Sequence, residues 1–369
     1  MTLTYTRLTH VSDWLKEERM DGALITSPSQ IFYLTSFHCE PYERLLGLFL
    51  FPGAEPFLIC PALEEDRARQ SGWDQEIIAY SDVENPWERI GKAIEARGDR
   101  QATRIAVEKE SLSIARAEAL TQLLPQAKFF SLEEPLHNFR AIKDEREIRK
   151  MEEAARLADL AVEIGLNSLT EGCIERETAA LIDFEMKKRG AEGMAFNTTV
   201  LFGENTGFPH GTPGLRELAP GDLVLFDLGV IHEGYCSDIT RTFAFRSVSE
   251  EQTRLYETVL KGQEAALSLS RPGTRIGDLD VAARQVITDE GYGDYFTHRV
   301  GHGLGIDPHE FPSIHGNNNQ TLKEGMVFTI EPGAYIPDFG GVRIEDDVLI
   351  TREGSRTLTR YPKELQVIR

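Results

Sequence analysis

Two stretches of this chain follow one pattern, and each carries an acid where a buried strand should have none. LAPGDLVLFDLG (residues 218–229) and LKEGMVFTIEPG (residues 322–333) both run Leu, two residues, Gly, and then an apolar strand. An acid stands six residues after that glycine, and a second glycine two residues further on. The acids are Asp227 and Glu331. In LVLFDLG the acid is surrounded by apolar residues of buried-strand type. An ionised carboxylate taken into such a strand without a partner costs several kcal/mol, so the fold must supply one.

The segment after each strand makes the demand sharper. After Asp227 comes LGVIHEGYCSDITRTF, a Gly-containing turn and a strand. An antiparallel hairpin whose facing residue numbers sum to 465 places Asp238 directly across from Asp227. After Glu331, PGAYIPDFGG leads into VRIEDDVLI, so Glu331 and Glu345 lie on either side of a turn centred near Asp338. Like charges opposed on a sheet are destabilising. The pairs can be solvated on an exposed face, hold one proton each, be neutralised by an arginine such as Arg241 or Arg343, or share a bound cation.

Histidines favour the last of these. HRVGHGLGIDPHE places His298, His302 and His309 in a glycine-rich segment before the second hairpin, and FGENTGFPHG places His210 before the first. Four of the nine histidines thus fall in two loops that precede acid-bearing hairpins. Four carboxylates and an imidazole suit Mn²⁺, Co²⁺, Zn²⁺ or Fe²⁺. Bridging carboxylates hold two such ions about 3.5 to 4 Å apart.

Composition removes other partners. With 60 acidic and 40 basic side chains the formal charge is -20, which disfavours nucleic acid and anionic membranes. No signal-peptide core opens the sequence, and the longest apolar run, LLGLFLF, is too short to span a bilayer. A cytoplasmic protein is expected. Cys39, Cys60, Cys173 and Cys236 have no metal-site spacing and read as reduced thiols.

Before residue 139 the pattern is that of a small α/β domain. GALITS, IFYLTSF, LLGLFLF, EPFLICP, QEIIAY and RIAVE read as strands, and ALEEDRARQSG and residues 87–97 and 111–124 as helices. A second domain opens with Asp144 and Glu147 spaced as a capping box. Ile148, Met151, Ala155, Ala158 and Val162 then recur at helical spacing. Further helices are expected at 175–189 and 250–269, with glycine-rich loops and strands between and after them.

FDLG, YCSDITRTF, HRVGHGLGIDPHE, TIEPGAY and VRIEDDV together resemble the pita-bread metallopeptidases, the group of methionine aminopeptidase, aminopeptidase P and Xaa-Pro dipeptidase (prolidase). The likeness spans the chain, is most specific from His210 to Glu345, and is greatest to bacterial prolidases through YERLLGLFLFPGAEPFLICPALE and HEFPSI. It implies a creatinase-like N-terminal α/β domain over residues 1–139 and a pita-bread α+β catalytic domain over residues 140–369. It also implies two divalent ions, most often Mn²⁺, with Co²⁺ or Zn²⁺ as alternatives. Asp227 would bind one ion, His302 and Glu331 the other, and Asp238 and Glu345 both.

A metal-bridging hydroxide would attack the scissile carbonyl of an Xaa-Pro dipeptide while Glu331 handles its proton. His210 and His309 match histidines that contact the substrate and the developing tetrahedral centre. Arg343 matches an arginine that either faces the substrate or supports a metal ligand, and His298 and Tyr335 match positions lining the pocket, where they either contact the substrate or pack in support behind it. A homodimer is implied, in which the loop FHCEPYERLL could reach the partner's site. Ser313 stands where some family dipeptidases carry an arginine four residues after the second histidine. That departure raises an aminopeptidase P acting on longer Xaa-Pro peptides, and the metal-free relatives of the fold add two further readings, a non-catalytic peptide-binding member and a metal-free creatinase-type hydrolase.

Overall fold

The structure, a computed structural model, describes residues 3–97 and 101–369. It divides into two compact units, residues 1–140 and 141–369.

In the first unit six strands form one sheet, in the order Glu76–Tyr80, Phe57–Pro61, Gly47–Leu50, Gly22–Ile25, Arg104–Val107, Lys128–Ser131. Pairing is antiparallel between the second, third and fourth of these and parallel elsewhere. Leu24, Phe57, Ile59 and Ile105 from the sheet bury against Ile90 and Ile94 of the helix Pro86–Ala96 and Leu120 of the helix Ile114–Leu123. Each such side chain contributes about 1.5 to 3 kcal/mol through removal from water.

IFYLTSF is not a strand. It belongs to the helix Pro28–Thr35, which has Pro28 at its start and ends at Ser36 in the left-handed region at φ 61°. Ile31, Leu34 and Thr35 recur at helical spacing and are buried, and Ser27-Pro28 is a helix-start signal that outweighs the β-propensity of Ile, Phe and Tyr.

The second unit is built twice over. Each half opens on a long helix with a capping box: Asp144 with Glu147 before Glu145–Ser168, and Ser249 with Gln252 before Glu250–Leu269. A second helix follows, Glu175–Lys188 or Ile276–Asp289. The turn before that helix is tied to the repeated sequence in the same way in both halves. Gly172 N–H donates to the carbonyl of Leu218 and Gly273 N–H to that of Leu322, each at 2.9 Å. Single β-bridges join Ile174 to Glu217 and Arg275 to Thr321. The glycine of each repeat, Gly221 or Gly325, turns the chain at φ 92° or 86° into the strand that leads to the acid. The helix Ile276–Asp289, absent from the sequence-level expectation, is thus the counterpart of Glu175–Lys188.

The strands form two main sheets. One runs Val367–Ile368, Ile239–Phe245, Leu223–Leu228, Thr199–Phe202, and the other Glu310–Ile314, Gly301–Gly303, Val327–Ile330, Asp346–Thr351, Gly354–Thr357. In the second repeat the expected register holds. Gly333 faces Arg343 and Ile330 faces Asp346, which leaves Glu331 opposite Glu345 across a turn containing Asp338 at φ 60°.

In the first repeat the register differs by two residues. Asp227 faces Thr240, and Ile231 faces Cys236. The cause is the turn: His232 pairs with Tyr235, and the two loop residues Glu233 and Gly234 both take positive φ, 45° and 74°, as a tight hairpin turn requires. Asp238 is therefore a diagonal neighbour of Asp227 on the same sheet face rather than its direct partner. Among the described residues no helix is long and apolar enough to cross a membrane.

Candidate metal centre

All ten side chains singled out from the sequence line one cavity of about 570 Å³: His210, Asp227, Asp238, His298, His302, His309, Glu331, Tyr335, Arg343 and Glu345. The acids are not solvated on an exposed face. Asp238 is 4% exposed, Glu345 2% and His302 4%. Asp227 and Glu331 are half-buried.

The three most buried of these converge. Donor atoms of Asp238, His302 and Glu345 all lie within 4.8 Å of one another. His302 sits on the strand Gly301–Gly303, which can approach the strand of Thr329 because position 301 is glycine. A Cβ there would fall 1.9 Å from the Thr329 carbonyl oxygen. Nδ1 of His302 lies 3.1 Å from the carbonyl of Gly303, so that nitrogen carries the proton and donates. Nε2 is then the nitrogen presented to Glu331 Oε1 at 3.1 Å and Asp238 Oδ2 at 3.9 Å. A bare ring nitrogen and a carboxylate oxygen repel unless a proton or a metal ion lies between them.

Each remaining carboxylate oxygen is either held by a donor or has none. Thr240 Oγ1 donates to Glu345 Oε2 at 2.6 Å, and Thr329 Oγ1 to Glu331 Oε1 at 3.1 Å. Asp238 Oδ1 and Glu345 Oε1 are buried and have no hydrogen-bond partner. Burial, with the neighbouring acids next, drives both carboxyls well above the usual range: Glu345 and Asp227 act on Asp238, Glu331 and Asp227 on Glu345. Two orphaned buried oxygens beside an imidazole nitrogen are what a divalent cation would satisfy.

Asp227 and Glu331 face protein partners. Arg343 Nη2 donates to Asp227 Oδ2. Burial raises the Asp227 carboxyl, with Arg343 pulling the other way. Burial would raise Glu331 also, but with a proton on Nε2 as well the hydrogen bond and charge of His302 take it down to about 2. Of the two arginines that the sequence offers as neutralisers, Arg343 is therefore the one at the site, while Arg241 pairs with Asp346 at 2.7 Å.

A hydrogen-bonded chain orders the pocket wall. Nδ1 of His298 is 2.7 Å from the carbonyl of Arg299 and must donate to it, which leaves Nε2 to accept from Tyr335 Oη at 2.9 Å. Burial keeps this imidazole below its ordinary pKa. The Tyr335 oxygen in turn accepts from Arg343 Nη1 at 2.8 Å, and burial pushes the phenol up to about 12. His309 packs against His302 with ring centroids 4.1 Å apart and the ring planes tilted by 59°. Burial, followed by the neighbouring His302, takes it down to about 4. His210 lies exposed at the cavity wall.

Some site residues were not singled out from the sequence. Thr240 and Thr329 bond the acids, and each lies two residues from an acid in its strand, so the period of two was a usable signal. Asn197, Thr199 and Arg299 also line the cavity. For the first two no pattern in the sequence pointed there.

Comparison with known proteins agrees with this geometry. The pattern of metallopeptidase family M24 matches residues 149–352, and that of the creatinase/prolidase N-terminal domain matches residues 7–142. The chain is 54% identical over 362 residues to the Bacillus subtilis protein YkvY, covering 98% of this chain and 99% of that one. It is 42% identical over 363 residues to the Xaa-Pro dipeptidase of Lactobacillus delbrueckii subsp. lactis, covering 98% of each. The crystal structure of the prolidase from Pyrococcus horikoshii OT3 superposes with a TM-score of 0.90 at 34% identity, over 98% of this chain and 99% of that one. From the acid-bearing repeat to the full-length matches, the chain belongs to metallopeptidase family M24, with a creatinase/prolidase N-terminal domain ahead of its catalytic part.

Proposed function

We propose that this protein is a dinuclear-metal Xaa-Pro dipeptidase. The observation that carries the reading is the convergence of Asp238, His302 and Glu345 within 4.8 Å, with one oxygen of each acid buried and unpartnered. Asp227, Asp238, His302, Glu331 and Glu345 would hold the ions, Mn²⁺ first and Co²⁺ or Zn²⁺ as substitutes. When bound, the ions would polarise the scissile carbonyl and lower the pKa of water enough for attack near neutral pH.

The chain's own groups do the rest. Glu331 is the proton acceptor beside the donor set. Neutral His309 stands against His302, placed to donate to the oxygen of the tetrahedral centre. His210 contacts the substrate from the exposed wall. Arg343, fixed by Tyr335 and Asp227, offers a guanidinium to the substrate, and His298 sets the direction of the Tyr335 hydroxyl. An Xaa-Pro bond has no amide N–H, so a site that grips the carbonyl through metal and imidazole loses nothing on proline.

The runner-up is an aminopeptidase P acting on longer peptides, raised by Ser313. Arg299 donates to the Ser313 hydroxyl at 2.9 Å and also lines the cavity, so a guanidinium stands beside this position without an arginine at 313. This favours a substrate that ends in a free carboxylate. Hydrolysis of Leu-Pro against Leu-Pro-Gly tests the choice: a higher kcat/KM on the dipeptide is expected, and preference for the tripeptide overturns it. A homodimer belongs to the same proposal, checked by light scattering. So does the cytoplasm, where the free thiols of Cys39, Cys60, Cys173 and Cys236 stay reduced.

A further inference from the structure

We propose that residues 358–363, near the C-terminus, form a strap that fixes Asp238 and Glu345 from behind and so set the metal affinity of the site. This rests on the assignment of these two acids as ligands. Neither acid is hydrogen-bonded to the strap itself. Each reaches it through one buried intermediary.

The first route runs from Asp238 through Asp347. The backbone N–H of Asp238 donates to Asp347 Oδ2 at 3.0 Å, and Asp347 has no exposed surface. Asp347 is held through both polar groups of its own main chain: its N–H donates to Thr359 Oγ1 at 3.2 Å, and its carbonyl accepts from Leu358 N–H at 2.8 Å. The Thr359 hydroxyl has its single proton committed to Asp346 Oδ1 at 2.9 Å. One hydroxyl thus joins Asp346 and Asp347, the two residues that come directly after Glu345.

The second route runs from Glu345 through Arg241. Arg241, 1% exposed, donates through Nη1 to the main-chain carbonyl of Glu345 and at 2.9 Å to that of Thr240. Through Nη2 it donates to Asp346 Oδ1 and to the Tyr361 carbonyl, each at 2.7 Å. Lys363 closes the far side at 3.0 Å from Asp346 Oδ2. The strap is itself pinned to the helix Glu145–Ser168, where the carboxylate of Asp159 accepts from the N–H groups of Arg360 and Tyr361 at 2.9 Å each.

Both acids are thereby fixed through their main chains, with their orphaned side-chain oxygens left to the cation. Ligands already held in place lose little freedom when an ion binds, so loosening the strap should weaken binding even though no strap atom is a ligand. Arg241, Asp347 and Thr359 are thus positioning residues.

The test uses the full-length apoprotein at a temperature where circular dichroism shows every variant folded, with free Mn²⁺ counted by its EPR signal during titration. Thr359→Val keeps shape and removes the hydroxyl, Thr359→Ser keeps the hydroxyl, Arg241→Lys removes the forked donor, and Asp238→Asn removes a ligand. Mn²⁺ binding should weaken roughly 10- to 100-fold in Arg241→Lys, and clearly in Thr359→Val but not in Thr359→Ser. Wild-type affinity in Thr359→Val and Arg241→Lys alongside loss in Asp238→Asn overturns the strap and leaves the ligand assignment standing. Wild-type affinity in Asp238→Asn overturns the ligand assignment and the strap with it. Should Arg241→Lys fail to fold, the Thr359 pair decides alone.

Discussion

At the scale of single residues, Asp238 and Glu345 carry the same tension. Burial, with the neighbouring acids next, raises both carboxyls well above the ordinary range, while a protonated His302 takes Glu331 down to about 2. In the metal-free protein a raised carboxyl contributes stability that is fully present below its unfolded value and is lost as pH rises through its folded one. Glu331 works the other way, with stability present above its unfolded value and lost as pH falls toward 2. Above the unfolded carboxyl values of about 4 the raised groups set the trend, so chelated protein should melt at a lower temperature at pH 8 than at pH 5. Saturating Mn²⁺ should reverse that order, because binding requires the deprotonated ligands. Scanning fluorimetry across pH checks both, and a chelated protein whose melting rises with pH contradicts the assignment. His309→Ala should lower kcat about 10²-fold or more with Mn²⁺ content unchanged, since it acts as a donor and holds no ion. Steady-state kinetics beside metal analysis reads this, and lost metal would move His309 into the ligand set.

At the scale of elements, the site was legible in the sequence to the extent that acids stood in strands. Asp227 and Glu331 were visible as charges in apolar runs, and Glu345 was correctly placed by its turn. Asp238 was misplaced by two residues because the register depends on the left-handed pair Glu233-Gly234, whose Glu hides a turn that Asn-Gly or Asp-Gly would have advertised. The helix Pro28–Thr35 was hidden by its β-branched and aromatic residues, and Ile276–Asp289 by the glycines around its start. The positioning roles of Arg241 and Asp347 were beyond reach for a different reason: the bonds from Arg241 to Asp346 and from Asp238 to Asp347 each span more than a hundred residues, and no local pattern encodes that. One close approach is directly testable. Gly301→Ala should cost about 1 to 3 kcal/mol or more, because its Cβ would meet the Thr329 carbonyl oxygen, a backbone atom with little room to yield. Chemical denaturation measures it, and unchanged stability would mean that the strand pair is looser than described.

At the scale of the molecule, the catalytic unit is two copies of one plan, and the acid at the end of each repeat lies at the cavity that the halves share. Asp227 and Asp238 come from the first half, and His302, Glu331 and Glu345 from the second. A bound ion would therefore tie the halves together, adding about 2.7 kcal/mol of stability at a concentration roughly 100 times its dissociation constant. The denaturation midpoint of the catalytic unit should rise with Mn²⁺ and fall with a chelator, which denaturant titration at fixed metal concentrations would show. The first unit holds none of these ligands and has its own sheet and core, so Asp238→Ala should leave it folded. Everything proposed for the site depends on these five side chains holding two ions that the reaction needs. Its sharpest test is Mn²⁺ stoichiometry per chain, measured on one preparation together with Leu-Pro hydrolysis before and after chelation. Two ions per chain, activity lost on chelation and activity restored by Mn²⁺ are the expected result. Undiminished hydrolysis by a protein that binds no transition metal would refute it.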